Sequence, residues 1–569
     1  MRLPLYCLII GVFISASYPA MSEEKKTQFV QSDLYESSTP TGPYSEIDRL
    51  VFSKLTASGI RPVLCSDSVF VRRAFLDVIG TLPTANEARA FIDEADHDNK
   101  RTALIEHLLE REEFADYWSM KWGDALRIKA EFPVNLWPNA AQAYHRWVRS
   151  SIVENKPYDQ FARELLTSSG SNFRVAPVNF YRAIQNKTPE GIANAVALTL
   201  MGQRSDSWPE PRLAGFALFF SQVSYKPTAE WKEEVVFWDP LKVVEQPGNV
   251  APGSAVPGTV ASASVDENSD TVDVSPAEKN VAVSANSALI AMLPDGTTVP
   301  LTSDKDPREV FANWLITPEN PWFAKSAVNR VWAWVMGRGI IHEPDDIRDD
   351  NPPCHPELLA YLEKEFVNSG YDLKHLYRLI LASRVYQFSS ITHADAADSD
   401  EDFSAYRLRR LDAEVLIDAI NAITGTYDLY TSAIPEPFTY IPRDVPAIAL
   451  ADGSITSPFL ALFGRSARAT GMARERNNNP VPAQWLHTLN SSHIQNKLTN
   501  SGRLKAMFEA RRKPERTLEE LYLTVLSRRP SASEVERALQ YGTGGRLTRN
   551  DWVDLTWALV NNTEFLYRH

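Results

Sequence analysis

Residues 306–362 read DPREVFANWLITPENPWFAKSAVNRVWAWVMGRGIIHEPDDIRDDNPPCHPELLAYL, and this stretch decides the fold. Asp306 is placed to N-cap a helix, Pro307 suits the first helical position, and Glu309 completes a capping box. Val310, Trp314 and Leu315 then share one face. A second helix carries Ala324, Ala327, Val328, Val331 and Val335 at helical spacing and stops at Gly337 and Gly339. Pro356 opens a third helix (Leu358, Leu359, Leu362, Phe366) that ends at Gly370. A fourth carries Leu373, Leu376, Tyr377, Ile380 and Leu381. The unit is all-helical and punctuated by its own glycines and prolines.

Working outward, the N-terminal side of the chain has the same grammar. Ile47, Leu50, Val51 and Leu55 mark a helix closed at Gly59, and Thr84 with Glu87 forms a capping box. Helices follow around 104–109, 114–126 and 140–153, the last two rich in Trp and Tyr. Arg72-Arg73 beside Leu76-Asp77 suggests packing, with one arginine on Asp77 or on a neighbouring helix. Trp118, Trp122, Trp137 and Trp147 read as core residues before they read as a sugar-binding groove. Near Trp231 the pattern changes. VVFWDPLKVV and NSALIAMLPDGTTVPL are β-rich, the second with a Pro-Asp-Gly turn, and are expected to pair as a small sheet. Between them, residues 245–287 are Pro, Gly, Ser, Ala, Val and acids, a composition expected to stay disordered. Beyond Ser390, YRLRRLDAEVLIDAINAITG predicts a helix stopping at Gly425. The fold class expected is mainly α: two helical domains, 44–230 and 306–569, joined by a small β element within 231–305 and a disordered insertion.

The chain has 569 residues and a net charge of -13, which shows no basic face in its counts and argues against nucleic acid as a partner. Arg2 and the short apolar run LYCLIIGVFISA, with Ala20-Met21-Ser22 behind it, predict a signal peptide over 1–22, a flexible lead-in over 23–43, and a periplasmic or extracellular protein with no stable membrane span after cleavage. Another exported protein is the partner this address suggests. Cys65 and Cys354 remain in the mature chain; two separate thiols are expected, although export permits a disulfide.

Three segments, NPWFAKSAVNRVWAWVMGRG (320–339), NPPCHPELL (351–359) and SGYDLKHLYRLILASRVYQFSS (369–390), resemble the C-terminal half of the planctomycete cytochrome-C-associated proteins. Arg72-Arg73, Leu76-Asp77, Gly80 and Leu82-Pro83-Thr84 resemble the signature of that family's N-terminal half. The two halves are domains of unknown function, fifteen-forty-nine and fifteen-fifty-three, and the likeness covers nearly the whole mature chain. The resemblance implies the two-domain architecture and leaves the reaction undefined.

It also implies two motifs that this chain lacks. The family's N-terminal domain typically carries Cys-x-x-Cys-His, the pattern for covalent c-type haem. Here only Ser205, Asp206 and Ser207 stand between Arg204 and Trp208, with no other such motif in the chain, so covalent haem and a Cys-rich zinc site are excluded. The C-terminal domain usually carries Cys-x-Cys-Glu-Arg; Met472 and Arg474 stand at the two cysteine positions, ahead of Glu475-Arg476. One lost cofactor with ligands from both halves explains both absences. It predicts that Met472–Arg476 faces Gln203–Trp208, with Arg474 pairing to Asp206. No cofactor is expected. A divalent cation is the remaining candidate, through Asp345, Asp346, Asp349, Asp350 and His355, where it would support a metal-assisted hydrolase acting on polysaccharide. The spacing fits no EF-hand, and Arg330, Arg338 and Arg348 lie near enough in sequence to tie up the acids. No Gly-x-Ser-x-Gly elbow, phosphate loop, His-Glu-x-x-His or dinucleotide fingerprint is present. The sequence therefore favours a haem-free scaffold or partner-binding protein.

Overall fold

The computed structural model describes residues 34–39, 41–95, 99–244, 289–392, 401–510, 512–542 and 546–569. The expected signal peptide, most of the lead-in and the insertion at 245–287 lie outside the described residues.

The chain is mainly α-helical, with a few short strands. The four helices read from residues 306–382 form at Pro307–Leu315, Phe323–Met336, Pro356–Asn368 and Leu373–Ala382. Gly337 ends the second in the left-handed conformation, at φ 82°, where any side chain would be strained. The first differs in detail. Asp306 accepts from the backbone N–H of Arg308, not Glu309, because its carboxylate also holds the Arg308 guanidinium at 2.7 Å. Arg308 is buried and donates onward to Ser168 O and Ser169 Oγ, so the capping residue is fixed from the side. The buried face of this helix is Arg308, Phe311, Ala312 and Leu315, while Val310 and Trp314 are only half-buried. Thr84 and Glu87 form the reciprocal capping box expected of them.

The two β-rich segments do not pair with each other. Glu234–Trp238 is the middle strand of a three-stranded antiparallel sheet, flanked by Gly170–Ser171 and Val223–Pro227. Leu289–Met292 pairs with Thr298–Leu301 through the Pro-Asp-Gly turn. Val223–Pro227 with Glu234–Trp238, and Leu289–Met292 with Thr298–Leu301, are each neighbours in sequence, the pairings with the smaller loop-closure cost, whereas Gly170–Ser171 reaches Val235–Val236 across a long connection. The segment YRLRRLDAEVL is not continuous helix either. The helix begins at Ala413, and Arg409–Arg410 form a strand that pairs with Tyr567–Arg568. That pairing draws the end of the chain into the interior.

Buried apolar residues from Ile47 to Leu566 form one contiguous core spanning both halves. Trp118 and Trp122 are in it, and Trp137 and Trp147 are half-buried, Trp147 stacked on Phe161 at 4.6 Å. Arg72 and Arg73 are buried and bind carbonyls from far along the chain instead of Asp77. Arg72 donates to Val525 O and Phe565 O, and Arg73 to Tyr386 O, Phe388 O and His569 O. They fix packing, as expected, but between the two halves. Cys65 and Cys354 are separate free thiols, the first buried and the second half-buried.

Candidate functional site

The helix Glu112–Ala125 brings Tyr117, Lys121 and Asp124 against the start of the helix Ala413–Thr424, and a buried ionic seam forms there. Asp412 accepts from Lys121 Nζ at 2.8 Å, Arg568 Nη2 at 3.0 Å and Asn478 Nδ2 at 2.8 Å. Glu414 binds Arg476 at 2.6 Å and Arg465 at 3.2 Å. Asp124 takes Arg476 at 2.8 Å and Arg468 at 2.9 Å. Asp77 takes Arg409 at 3.3 Å, Arg568 at 3.2 Å and the hydroxyls of Tyr386 and Tyr406. Burial alone would raise the pKa of Glu414, but Arg476 and then Arg465 outweigh it and hold it at about 2. Asp412 is likewise held well below the usual carboxylate range, with burial overcome by Lys121, Arg568 and Arg476. Asp412 and Glu414 are thus held ionised, and all four acids are bonded to cations of the protein itself, so the seam is structural.

Beside it lies a cleft of about 630 Å³ to which both halves contribute. Its cationic side chains are Lys121, Arg330, Arg338, Arg407, Arg409, Arg410, Arg474, Arg476 and Arg568, against the carboxylates of Asp124, Glu343, Asp345 and Asp412. Nine positive groups and four negative ones make a strongly basic hollow in a chain whose net charge is -13. Trp334 and Met472 give it an apolar wall.

A second hollow, of about 330 Å³, adjoins the first at Met472. Gln203, Arg204, Ser205 and Asp206 line one side, and Ala469, Thr470 and Met472 the other. Four elements hold it in shape. Gly202 has φ 63°, Gln203 Nε2 donates to Ile347 O at 3.0 Å, Ser205 Oγ lies 2.5 Å from Asn194 Oδ1, and Arg204 pairs with Glu343 at 2.8 Å. The stretches named from the missing motifs therefore meet. The expected pair between Arg474 and Asp206 does not form. Asp206 and Ser207 are exposed, and Arg474 is exposed toward the larger cleft. Ala473 N donates to Asp345 and fixes the 472–476 segment so that Met472 lies between the two hollows and Arg474 lines only the larger. Serine, amide and thioether groups supply no thiolate pair and no imidazole, so this site fits neither covalent haem nor a thiolate-held metal.

The acidic cluster is dispersed. Asp345 is buried, 3.5 Å from Arg330, and accepts the Ala473 N–H at 2.6 Å. Asp346 and Asp350 both face Arg348, at 3.0 and 3.6 Å, and Asp349 is exposed. His355 is buried against Phe403, with ring centroids 5.6 Å apart, and burial pushes its pKa down to about 4. Among the described residues no group of three or more His, Cys, Asp or Glu is placed to hold a metal ion.

Two family matches divide the chain as its architecture does. Residues 46–203 match PSCyt2, a protein of unknown function (DUF1549), and residues 307–542 match PSD1, a protein of unknown function (DUF1553). The chain belongs to the family that joins these two domains. No curated protein and no solved structure matches it. In this member of the PSCyt2–PSD1 family, the missing-motif hollow lies where the two matched domains meet, since Ser205 follows directly on the first and Met472 lies within the second. No helix among the described residues is long and apolar enough to cross a membrane. Sequence reading missed Lys121, Arg407, Arg409, Arg410, Arg476 and Arg568 as site residues. The one available signal was the run Arg407-Leu408-Arg409-Arg410, which in sequence reads only as the start of the helix ending at Gly425.

Proposed function

We propose that the protein is a haem-free, exported partner-binding scaffold that holds a ligand or partner without transforming it. The observation that carries this reading is the state of the acids a hydrolase would need. Asp345 is bound by Arg330 and a backbone N–H, and Asp346 and Asp350 by Arg348. A catalytic divalent ion needs several carboxylates converging on an open coordination position. Asp345 has instead spent both oxygens on the protein. Export rests on the N-terminal apolar run and its small-x-small boundary at Ala20–Ser22.

Metal analysis of the full chain, purified from an export-competent host and dialysed, tests the reading. Less than about one-tenth of an equivalent of any divalent metal is expected, with a mature N-terminus near Glu23. A stoichiometric metal that survives dialysis and is lost in Asp345→Asn would overturn it.

A further inference from the structure

We propose that the cleft between the two domains is a binding site for an organic oxyanion, a small molecule bearing a carboxylate, sulfate or phosphate group, with buried Arg410 and exposed Arg474 as its recognition charges. The inference goes beyond the scaffold reading and stands on charge and shape alone.

Arg410 is the decisive residue. It lines the cleft yet is only 4% exposed. Its Nε donates to Asn478 O at 3.2 Å, and Nη2 to Phe463 O at 2.7 Å and Asn477 O at 3.3 Å. Its Nη1 is buried with no hydrogen-bond partner, and no carboxylate lies within ion-pair distance of the guanidinium among the described residues. Asp412, two residues on, is consumed by Lys121, Arg568 and Asn478. A buried cation without a counter-charge is costly, and the neighbouring arginines of the seam each hold an acid. A ligand oxyanion supplies the charge that Arg410 lacks. At the exposed side of the same cleft Arg474 has no ion pair either.

Size and lining set the ligand class. The cleft volume, about 630 Å³, is that of a small-molecule site and too small for a protein surface or a duplex. Planar guanidinium groups recognise carboxylate, sulfate and phosphate through paired N–H donors. Trp334 and Met472 on the wall suit a ring or apolar portion of the same ligand. An excess of positive charge inside low-dielectric walls focuses the field on the cleft even though the whole chain is acidic.

The test titrates the full chain, in EDTA and at low ionic strength, with phenyl phosphate, phenyl sulfate and benzoate, using phenol as the uncharged control. Calorimetry and tryptophan fluorescence read the binding. Saturable binding of at least one of the three anions is expected at or below about 1 mM, with none for phenol, and the three arms identify the oxyanion. Arg474→Glu, at an exposed position that carries no structural bond, should weaken that binding roughly tenfold at low salt and less as ionic strength rises. Arg410→Lys keeps the charge and loses the fork; where its thermal melt matches the parent, a loss of tenfold or more is expected. The proposal is overturned if none of the anions saturates, if phenol binds equally well, or if Arg474→Glu leaves the affinity unchanged. Turnover of a bound anion would sink the non-catalytic reading and leave this site standing.

Discussion

Replacing Arg476 with Met tests whether the buried seam holds the two domains together. Arg476 joins Asp124, on a helix of the N-terminal half, to Glu414, on a helix of the C-terminal half, through contacts of 2.6–3.1 Å. Removing it leaves the buried Glu414 and the half-buried Asp124 with reduced compensation. Two routes give the magnitude. Deleting one partner of a buried ion pair costs about 3–5 kcal/mol. The depression of Glu414 from 4.5 to about 2 corresponds to about 3 kcal/mol for that acid alone. A loss of about 4 kcal/mol lowers the melting temperature by roughly 8–15 °C, if 150–250 residues unfold as the cooperative unit. Calorimetry and guanidinium unfolding of the full chain would measure it. In a double-mutant cycle, Glu414→Gln added to Arg476→Met should restore part of the loss, with a coupling energy of about 1–3 kcal/mol. A melting point within about 2 °C of the parent, or strictly additive effects, would refute the idea that the seam carries inter-domain stability.

Three other outcomes follow from the same geometry. Gly464 has φ 81°, and a Cβ there would lie 1.8 Å from Asn477 O, so Gly464→Ala should cost more than about 2 kcal/mol and expose the loop carrying Met472 and Arg474 to proteolysis between 464 and 477; unchanged stability with no faster cleavage there would contradict the close packing. Stability should fall on acidification. Glu414's folded pKa is depressed, so its contribution is present above about pH 4.5 and lost as pH falls toward 2, while burial pushes His145, His355 and His569 down to about 3, 4 and 4. The unfolded chain protonates those histidines, and His487, also lowered by burial, from about pH 6.5 downward, which pulls against folding. Asp418, raised by burial to about 7, opposes them together with Asp452 and Glu363, also raised by burial, and the histidines with Glu414 are expected to prevail. A melting point at pH 4.5 as high as at pH 7 would refute this balance. Finally, Cys65 and Cys354 should both react with a thiol reagent under denaturing, non-reducing conditions, with Cys354 the faster in the folded protein; a yield of no free thiol would show a bridge instead.

The helices were legible because their signals are local. Asp306, Gly337, Pro356 and Gly370 mark ends, and apolar residues at helical spacing mark the buried faces. Strand partners were not, because a four- or five-residue run such as Glu234–Trp238 says that it will pair and not with what. Arg409–Arg410 could not be read as a strand at all, since its partner is 158 residues away at Tyr567–Arg568 and each strand has only two residues. The missing motifs were legible as gaps between familiar flanks, and the structure puts Ser205 and Met472 on one hollow. The direction of Arg474 was not, because a hydrogen bond from Ala473 N to Asp345, 128 positions away, rotates that segment. Composition hid the basic cleft for a related reason. A net charge of -13 averages over the chain, and the cleft gathers arginines from five separate stretches, around 330, 338, 407–410, 474–476 and 568.

The two domains stay joined in a chain that has neither of the cysteine motifs that the resemblance implies. A structural metal in a small fold contributes on the order of 10 kcal/mol, so its ligands are lost safely only where other contacts already bind the two parts. Here such contacts exist on both sides of the hollow. One apolar core runs through both halves, and Arg72 and Arg73 reach from the first domain to carbonyls of the last segments. Arg476 and Lys121 do the same through Glu414, Asp124 and Asp412. None of these charged groups lines the smaller hollow, whose walls are Asn194, Gln203, Ser205, Thr470 and Met472 among others, with only Ile184 and Ala195 contributed by the core. The junction therefore does not depend on what the hollow contains. Substitutions at Ser205, Met472 and Arg474 should leave the ionic seam and the bonds of Arg72 and Arg73 in place.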